Sequence, residues 1–305
     1  MTREVGLVAA VWLLAVGGAP LGAQTIDDHL MMPKRQLCTG FGYMHDGFDR
    51  YWEGTLERDN GNMGTLSTQS VSWMGTYGVT DRINVIAMAP WIKTEASAGT
   101  SSGLDGFQDL TVGIKWNALT TALTRHGDLQ VFLVISGAVP LTDYTPDFMP
   151  FSIGSHSQRL AGRLSLNWQT KKGFFIQGTS SYMWRDNVTL NRDSYFTNGR
   201  LHFSNEVAMP DVIDYAFRVG WWKNGLYLPI SFTQQITAGG GDIRRQDAPF
   251  VSNRMNFSRV DGFAKYYFTR PKNWVAQAGA SYTFSGRNVG KSTTLQAGLL
   301  YTFQF

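Results

Sequence analysis

Apolar and polar residues alternate one for one in about a dozen stretches between Leu37 and Phe305. A period of two is that of a β-strand with one apolar and one polar face. The last stretch is the clearest. Leu295, Ala297, Leu299, Tyr301, Phe303 and Phe305 fall on one face and Thr294, Gln296, Gly298, Thr302 and Gln304 on the other, with Leu300 the exception. In the same way Leu110, Val112, Ile114 and Trp116 stand against Thr111, Gly113, Lys115 and Asn117. Beyond residue 23 no apolar run reaches the roughly 18 residues of a membrane helix, which excludes a helical membrane protein. Charged residues make up 16% of the chain and aromatic residues 13%, whereas soluble domains carry about 25% charge. The net charge of +4 is spread thinly, and without a basic stripe nucleic acid is not expected as a partner.

The opening residues 1–23 read as a secretory signal: Arg3, an apolar run from Val8 to Val16, then small residues and Pro ending at Leu21-Gly22-Ala23. An exported chain with no later apolar run either is soluble or spans as a barrel. Residues 24–36 then form a periplasmic or plug segment, and 37–305 the barrel. Cys38, the single cysteine, lies too far from the signal to be lipidated and reads as a small residue at a strand start.

The alternation predicts strands near 37–46, 64–77, 82–95, 107–119, 128–139, 156–170, 173–187, 212–223, 225–238, 254–268, 274–287 and 292–305. That is twelve, with fourteen if 188–211 holds another hairpin. The connections alternate between short (Gly78–Asp81, Thr120–Gly127, Lys171-Lys172, Asn224, Thr269–Asn273) and long (47–63, 96–106, 140–155, 188–211, 239–253), and only Asn288–Lys291 breaks the rule. This is the pattern of an all-β, transmembrane antiparallel β-barrel of a Gram-negative outer membrane, with both termini periplasmic and the long loops outside. Trp73, Tyr77, Trp116, Trp168, Trp221, Tyr266, Phe268, Trp274 and Phe303 fall beside the short turns, and Trp91, Tyr182 and Trp184 beside the long loops. Two aromatic girdles at headgroup level are expected from this placement. The lipid bilayer is the partner it implies.

Motifs of enzymes carry little here. Gly99-Thr100-Ser101-Ser102-Gly103 has nucleophile-elbow spacing but lies in a loop rather than between a strand and a helix. Gly290-Lys291-Ser292 ends like a phosphate-binding loop, but Ser285 stands where its first glycine belongs. His29, His45, His126, His156 and His202 lack metal spacing and read as loop or rim residues. His156, between Ser155 and Ser157, falls on the lipid-facing parity at the outer rim, where a lipid hydrolase would need its base, yet no serine is placed to match it. No catalytic residue, cofactor or metal is expected.

The inward parity is more informative. It places Lys115, Arg159, Arg163, Arg218, Arg259 and Lys265 with Asp109, Asp214 and Asp261 on the lumen face, alongside Tyr227, Phe263, Tyr267, Gln177 and Gln235. Lys115, Arg159, Arg163, Arg218, Arg259, Asp261, Lys265 and Tyr267 are the candidate lumen-lining site. A basic excess in a lumen of this width can line a constriction that favours anions or polar aromatics. Alternatively these charges pair, Asp109 with Lys115 and Asp261 with Arg259 and Lys265, and plug the barrel.

Two stretches carry a family resemblance. Tyr77-Gly78-Val79-Thr80-Asp81-Arg82-Ile83-Asn84-Val85 and Gly106-Phe107-Gln108-Asp109-Leu110-Thr111-Val112-Gly113-Ile114-Lys115-Trp116 resemble signatures of the outer-membrane transporter-like proteins associated with the meta-pathway of phenol degradation. The resemblance implies uptake of aromatic or hydrophobic small molecules. Phe305, with aromatics at alternate positions before it, resembles the signal read by the barrel-assembly machinery, a further implied partner. The expected function is an outer-membrane channel for small-molecule solutes, aromatic, hydrophobic or anionic. The alternatives are a shut barrel that binds a partner through its loops and an outer-membrane lipid hydrolase.

Overall fold

The computed structural model describes residues 25–244 and 249–305; the signal expected over 1–23 lies outside the described residues. Twelve long strands build one sheet: β1 (Gln36–Phe48), β2 (Leu66–Thr80), β3 (Ile83–Ala96), β4 (Asp109–Thr124), β5 (Gly127–Pro140), β6 (Arg159–Thr170), β7 (Phe174–Arg185), β8 (Val212–Lys223), β9 (Leu226–Thr237), β10 (Asn256–Tyr267), β11 (Trp274–Arg287) and β12 (Thr293–Gln304). Each pairs antiparallel with the next. β1 also pairs with β12, from Gln36↔Gln304 to Gly47↔Thr293, so the sheet closes on itself. Closure leaves no strand edge with unpaired backbone groups, the condition for a sheet to sit in hydrocarbon.

The turns are tight at one end. Asn224 and Gly225 both have positive φ (54° and 74°), the two-residue hairpin geometry that asparagine and glycine adopt most readily. At the other end lie the long loops. Two of them fold on themselves: 49–65 pairs Arg50–Glu53 with Leu56–Asp59, and 186–211 carries the small ladders Val188–Thr189 with Glu206–Val207 and Tyr195–Thr197 with Arg200–His202. With the loop 238–255 it shares a cluster of Val188, Leu190, Tyr195, Val207, Met209, Phe250 and Val251. This hairpin stands outside the barrel sheet, so the barrel has twelve strands and not fourteen.

Three sequence expectations need correction. The strand expected over 107–119 begins at Asp109 and runs on to Thr124, so Thr120–Gly127 is mostly strand, closed by Arg125 and His126. Register shifts between Asn117 and Leu119 and between Ala122 and Thr124 break the alternation there and hide the strand. His156 is not on a lipid-facing strand: β6 starts at Arg159, and His156 sits in the preceding loop at φ 57° with its ring against Tyr144. His29 is not a rim residue but is buried inside the barrel.

The outer wall is apolar around the whole barrel. Phe41, Ile114, Leu133, Leu164, Phe217, Val260 and Leu295 are exposed, and Ile135 and Ile230 reach 64% and 66%. A belt of this extent far exceeds the few hundred Å² that soluble proteins leave exposed, and it matches a bilayer. Trp73, Tyr77, Trp116, Trp221, Tyr266, Trp274 and Phe303 are exposed toward the turn end, and Tyr182 and Trp184 toward the loop end.

Closure depends on the seam between β1 and β12. A Cβ on Gly40 would lie 2.2 Å from the Leu299 carbonyl oxygen, whereas one on Gly42 would come no nearer than 3.5 Å to any neighbour, the Met74 methyl. Backbone cannot yield as a side-chain end can. Gly40→Val is therefore expected to abolish the heat-modifiable folded band on electrophoresis after refolding, and Gly42→Ala to retain it.

Candidate functional site

Inward residues of the wall converge on a segment that is not part of the wall. Residues 25–35 precede β1 and run through the barrel interior. Their exit is fixed by backbone and amide contacts at the turn end. Arg35 donates its backbone N–H to the Gly78 carbonyl at 2.8 Å, and Asn84 exchanges two bonds with Met32, at 2.7 and 2.9 Å. A Cβ on Gly78 would lie 2.0 Å from the Pro33 carbonyl oxygen, so the close passage needs glycine at that position.

Deeper in, charge takes over. Lys115 on β4 is fully buried, and its ammonium donates to the Asp28 carbonyl (2.8 Å), the Asp28 Oδ1 (2.9 Å) and the Leu30 carbonyl (3.2 Å). A lysine has three N–H donors, so the segment supplies a partner for every one. Lys265 on β10 donates to the other oxygen of the same carboxylate, Oδ2, at 3.1 Å. β4 and β10 stand opposite each other in the ring of twelve, so one carboxylate ties the two sides of the barrel together. Arg163 on β6 pairs with the Asp27 carboxylate at 2.5 Å. Arg218 on β8 and Gln177 on β7 both donate to the Asp27 carbonyl, at 2.9 and 3.0 Å.

Below the charges lies an apolar floor. Leu30 and Met32 pack with Cys38, Phe175, Tyr227, Tyr267, Val275 and Leu300. Leu300, which breaks the outward alternation of β12, points inward because this floor buries it. The His29 ring lies 4.4 Å from Phe175 and 5.7 Å from Tyr227, and neither of its nitrogens has a hydrogen-bond partner among the described residues.

Of the eight candidate lumen residues, Lys115, Arg163, Arg218 and Lys265 thus gather on the segment, and Tyr267 lies in the floor against Trp222. Arg159 stands apart, paired with Asp109, whose other oxygen accepts from the Tyr144 hydroxyl at 2.6 Å. Arg259 pairs with Asp261 at 2.9 Å. Two pairings weighed from spacing are therefore replaced: Asp109 binds Arg159 and not Lys115, and Lys265 binds Asp28 where Asp261 had been considered. Asp27, Asp28 and Phe175 are not site candidates from the sequence, Asn84 enters there only within a family signature, and His29 only as a rim histidine. Their signal was an acidic pair ahead of a barrel whose inward face is basic.

A closed antiparallel barrel of twelve strands with an apolar exterior and a charged interior defines the class, the outer-membrane β-barrel. Among solved structures the chain is similar to the COG4313 outer membrane channel from Pseudomonas putida F1, at 14% identity and a TM-score of 0.68, over 92% of this chain and 100% of that one. It is also similar to the translocator domain of the autotransporter NalP from Neisseria meningitidis, at 12% identity and a TM-score of 0.48, covering 90% of each chain. A CymD monoaromatic hydrocarbon channel follows at 9% identity and a TM-score of 0.41, covering 89% of each. No protein-family model matches the chain, and no curated protein does. The first likeness establishes the fold; the other two add nothing to it.

The segment carries a titratable group ahead of the first spanning strand. Burial, with Arg218 and Lys115 nearby, pushes the His29 imidazole down to about 3 against the opposing pull of Asp28. Its folded value is depressed below the ordinary 6.5, so docking of the segment is at full strength above that pH and weakens as pH falls toward the lower value. The Asp28 carboxyl is also held below its ordinary 3.8, its pairing with Lys115 and Lys265 outweighing burial, so its contribution fades only in stronger acid. Between pH 7 and pH 5 the loss from His29 alone is about 2 kcal/mol. Release of residues 25–35, read as their cleavage by a protease added to the refolded protein, is expected to rise over that interval, and His29→Phe to flatten the rise.

Proposed function

We propose that this chain is a channel of the Gram-negative outer membrane for small solutes, held shut by residues 25–35 and opened when that segment leaves the wall. The observation that carries this reading is the bonding of Lys115, whose three donors all go to the segment and none to the wall. A lumen filled only for rigidity can pair its charges across the wall, as Arg159 does with Asp109 and Arg259 with Asp261. Here the wall instead keeps three cations for two carboxylates on a separate segment of chain, and a fourth, Arg218, for its Asp27 carbonyl. Breaking a buried ion pair by removing one partner is strongly destabilising, so such a closure holds until another group compensates those charges. The resemblance to the phenol meta-pathway family supports aromatic molecules as cargo.

A second reading has one observation in its favour. Phe203, beside the loop ladder at 195–202, is 87% exposed, next to the exposed Leu201 and Phe196, as a loop that binds a partner would be. Planar-bilayer recording separates the two. Wild-type protein is expected to be mostly closed, and Asp28→Asn to raise the open-to-closed ratio on the order of 100-fold. A folded Asp28→Asn barrel that passes no more current than the wild type would overturn the channel reading in favour of the loops.

A further inference from the structure

We propose that the wall site filled by Asp28 and His29 is a binding site for an aromatic carboxylate, and that such a solute opens the lumen by taking the place of these two side chains. This rests on the reading of the barrel as a channel closed by residues 25–35.

The site has two halves, and each is built for one half of such a molecule. In the first, the Asp28 carboxylate receives one ammonium on each oxygen, Lys115 at 2.9 Å and Lys265 at 3.1 Å. Its remaining donors, the Thr25 N–H and hydroxyl and the Leu30 N–H, belong to the segment and leave with it. What stays on the wall is a pair of buried lysines on facing strands, a clamp for a carboxylate.

In the second half, the imidazole of His29 is inclined at 57° to Phe175 and at 63° to Tyr227, while Phe175 and Tyr227 stack on each other at 5.4 Å and 7°. Inclined, edge-directed contacts of this kind are how aromatic rings recognise one another. Among the described residues no wall group meets the imidazole nitrogens in good hydrogen-bonding geometry, Gln177 acting on the ring only weakly. The wall holds His29 as a flat apolar disc, which a benzene ring fills without burying two unpartnered nitrogens. The halves adjoin, because the Lys265 ammonium lies 5.9 Å from the centre of the Tyr227 ring.

Charge selects among the occupants. When Asp27 and Asp28 withdraw, Lys115, Lys265 and Arg163 lose their carboxylates and Arg218 the Asp27 carbonyl. Asp109 and Asp261 are engaged with Arg159 and Arg259, and Asp214 faces the lumen beside Ser181. A neutral phenol fills the ring half and brings nothing to replace the carboxylate that Asp28 gives Lys115 and Lys265. A mineral anion or acetate fills the charged half and leaves the Phe175 and Tyr227 faces bare. An aromatic acid satisfies both.

The test is a titration of wild-type channels in planar bilayers with 3-phenylpropanoate, phenylacetate and benzoate against phenol and acetate at equal ionic strength. At least one aromatic acid is expected to raise the open fraction saturably at millimolar concentration, with phenol and acetate inactive in that range. Calorimetry on folded, detergent-solubilised Asp28→Asn is expected to give tighter binding of that acid by tenfold or more, lost when Lys265→Met is added. Equal responses to acetate, or to phenol, would overturn the proposal by showing a site that reads only charge or only a ring. If Asp28→Asn conducts but no aromatic acid binds it, the proposal falls and the channel reading stands. If an aromatic acid binds the folded variant and no condition yields current, the channel reading falls, and the opening step with it. The wild-type titration needs no substitution, so a misfolded variant does not leave the question open.

Discussion

Everything inside this barrel is arranged around one carboxylate. Asp28 bridges Lys115 and Lys265 across the ring of strands. Two ammoniums and a carboxylate taken from water are unstable separately, since the desolvation of each costs several kcal/mol, and they are tolerable only with near-complete pairing and hydrogen bonding. Both oxygens of Asp28 and all three donors of Lys115 meet that condition. The wall does not depend on it in the same way. Its backbone groups are bonded strand to strand around a closed circuit, and its outward side chains gain their stability from lipid. Wall and segment are therefore two units joined through ionic contacts, a small apolar floor and a few backbone and amide bonds near the turn end, and the wall's own strand pairing does not run through the segment.

The floor explains features that look irregular from the strand pattern alone. Leu300 and Val275 break the polar run of inward positions on adjoining strands, and both are buried against Leu30 and Met32. Gly113 on β4 leaves room for Ile26, whose methyl would lie 3.2 Å from a Cβ at that position. The lumen is thus graded, with a charged belt around Asp27 and Asp28 and an aromatic and aliphatic base nearer the turns.

How far this could be read from sequence follows from the same physics. Lipid on one side of a strand and a polar interior on the other enforce a strict period of two, so twelve strands and the inward parity of Lys115, Arg163, Arg218 and Lys265 were legible. β4 was cut short because its register shifts beside Leu119 and Thr124 spoil the period. Pairing was not legible. Proximity on one strand suggested Asp109 for Lys115, but its partner lies 87 residues earlier in a stretch without periodicity. Such a stretch reveals its place only through complementarity: a basic lumen and a nearby Asp27-Asp28 belong together. His29 reads from sequence as a rim residue, because nothing in a lone histidine tells whether its neighbours are water or Phe175 and Tyr227.

Tethering sets the energetic balance of such a closure. A segment joined to β1 by a few residues faces its own site at an effective concentration on the order of millimolar. A free solute at that level displaces it only by fitting the wall better than the segment does. Perfect complementarity would lock the barrel shut, and the segment falls short of it at one residue. The His29 nitrogens, which no described residue meets in good hydrogen-bonding geometry, weaken docking relative to satisfied groups, while Asp28 holds the charges that would otherwise stand uncompensated. The strong contact keeps the lumen closed when nothing competes, and the imperfect one beside it leaves a margin for a ligand to open it.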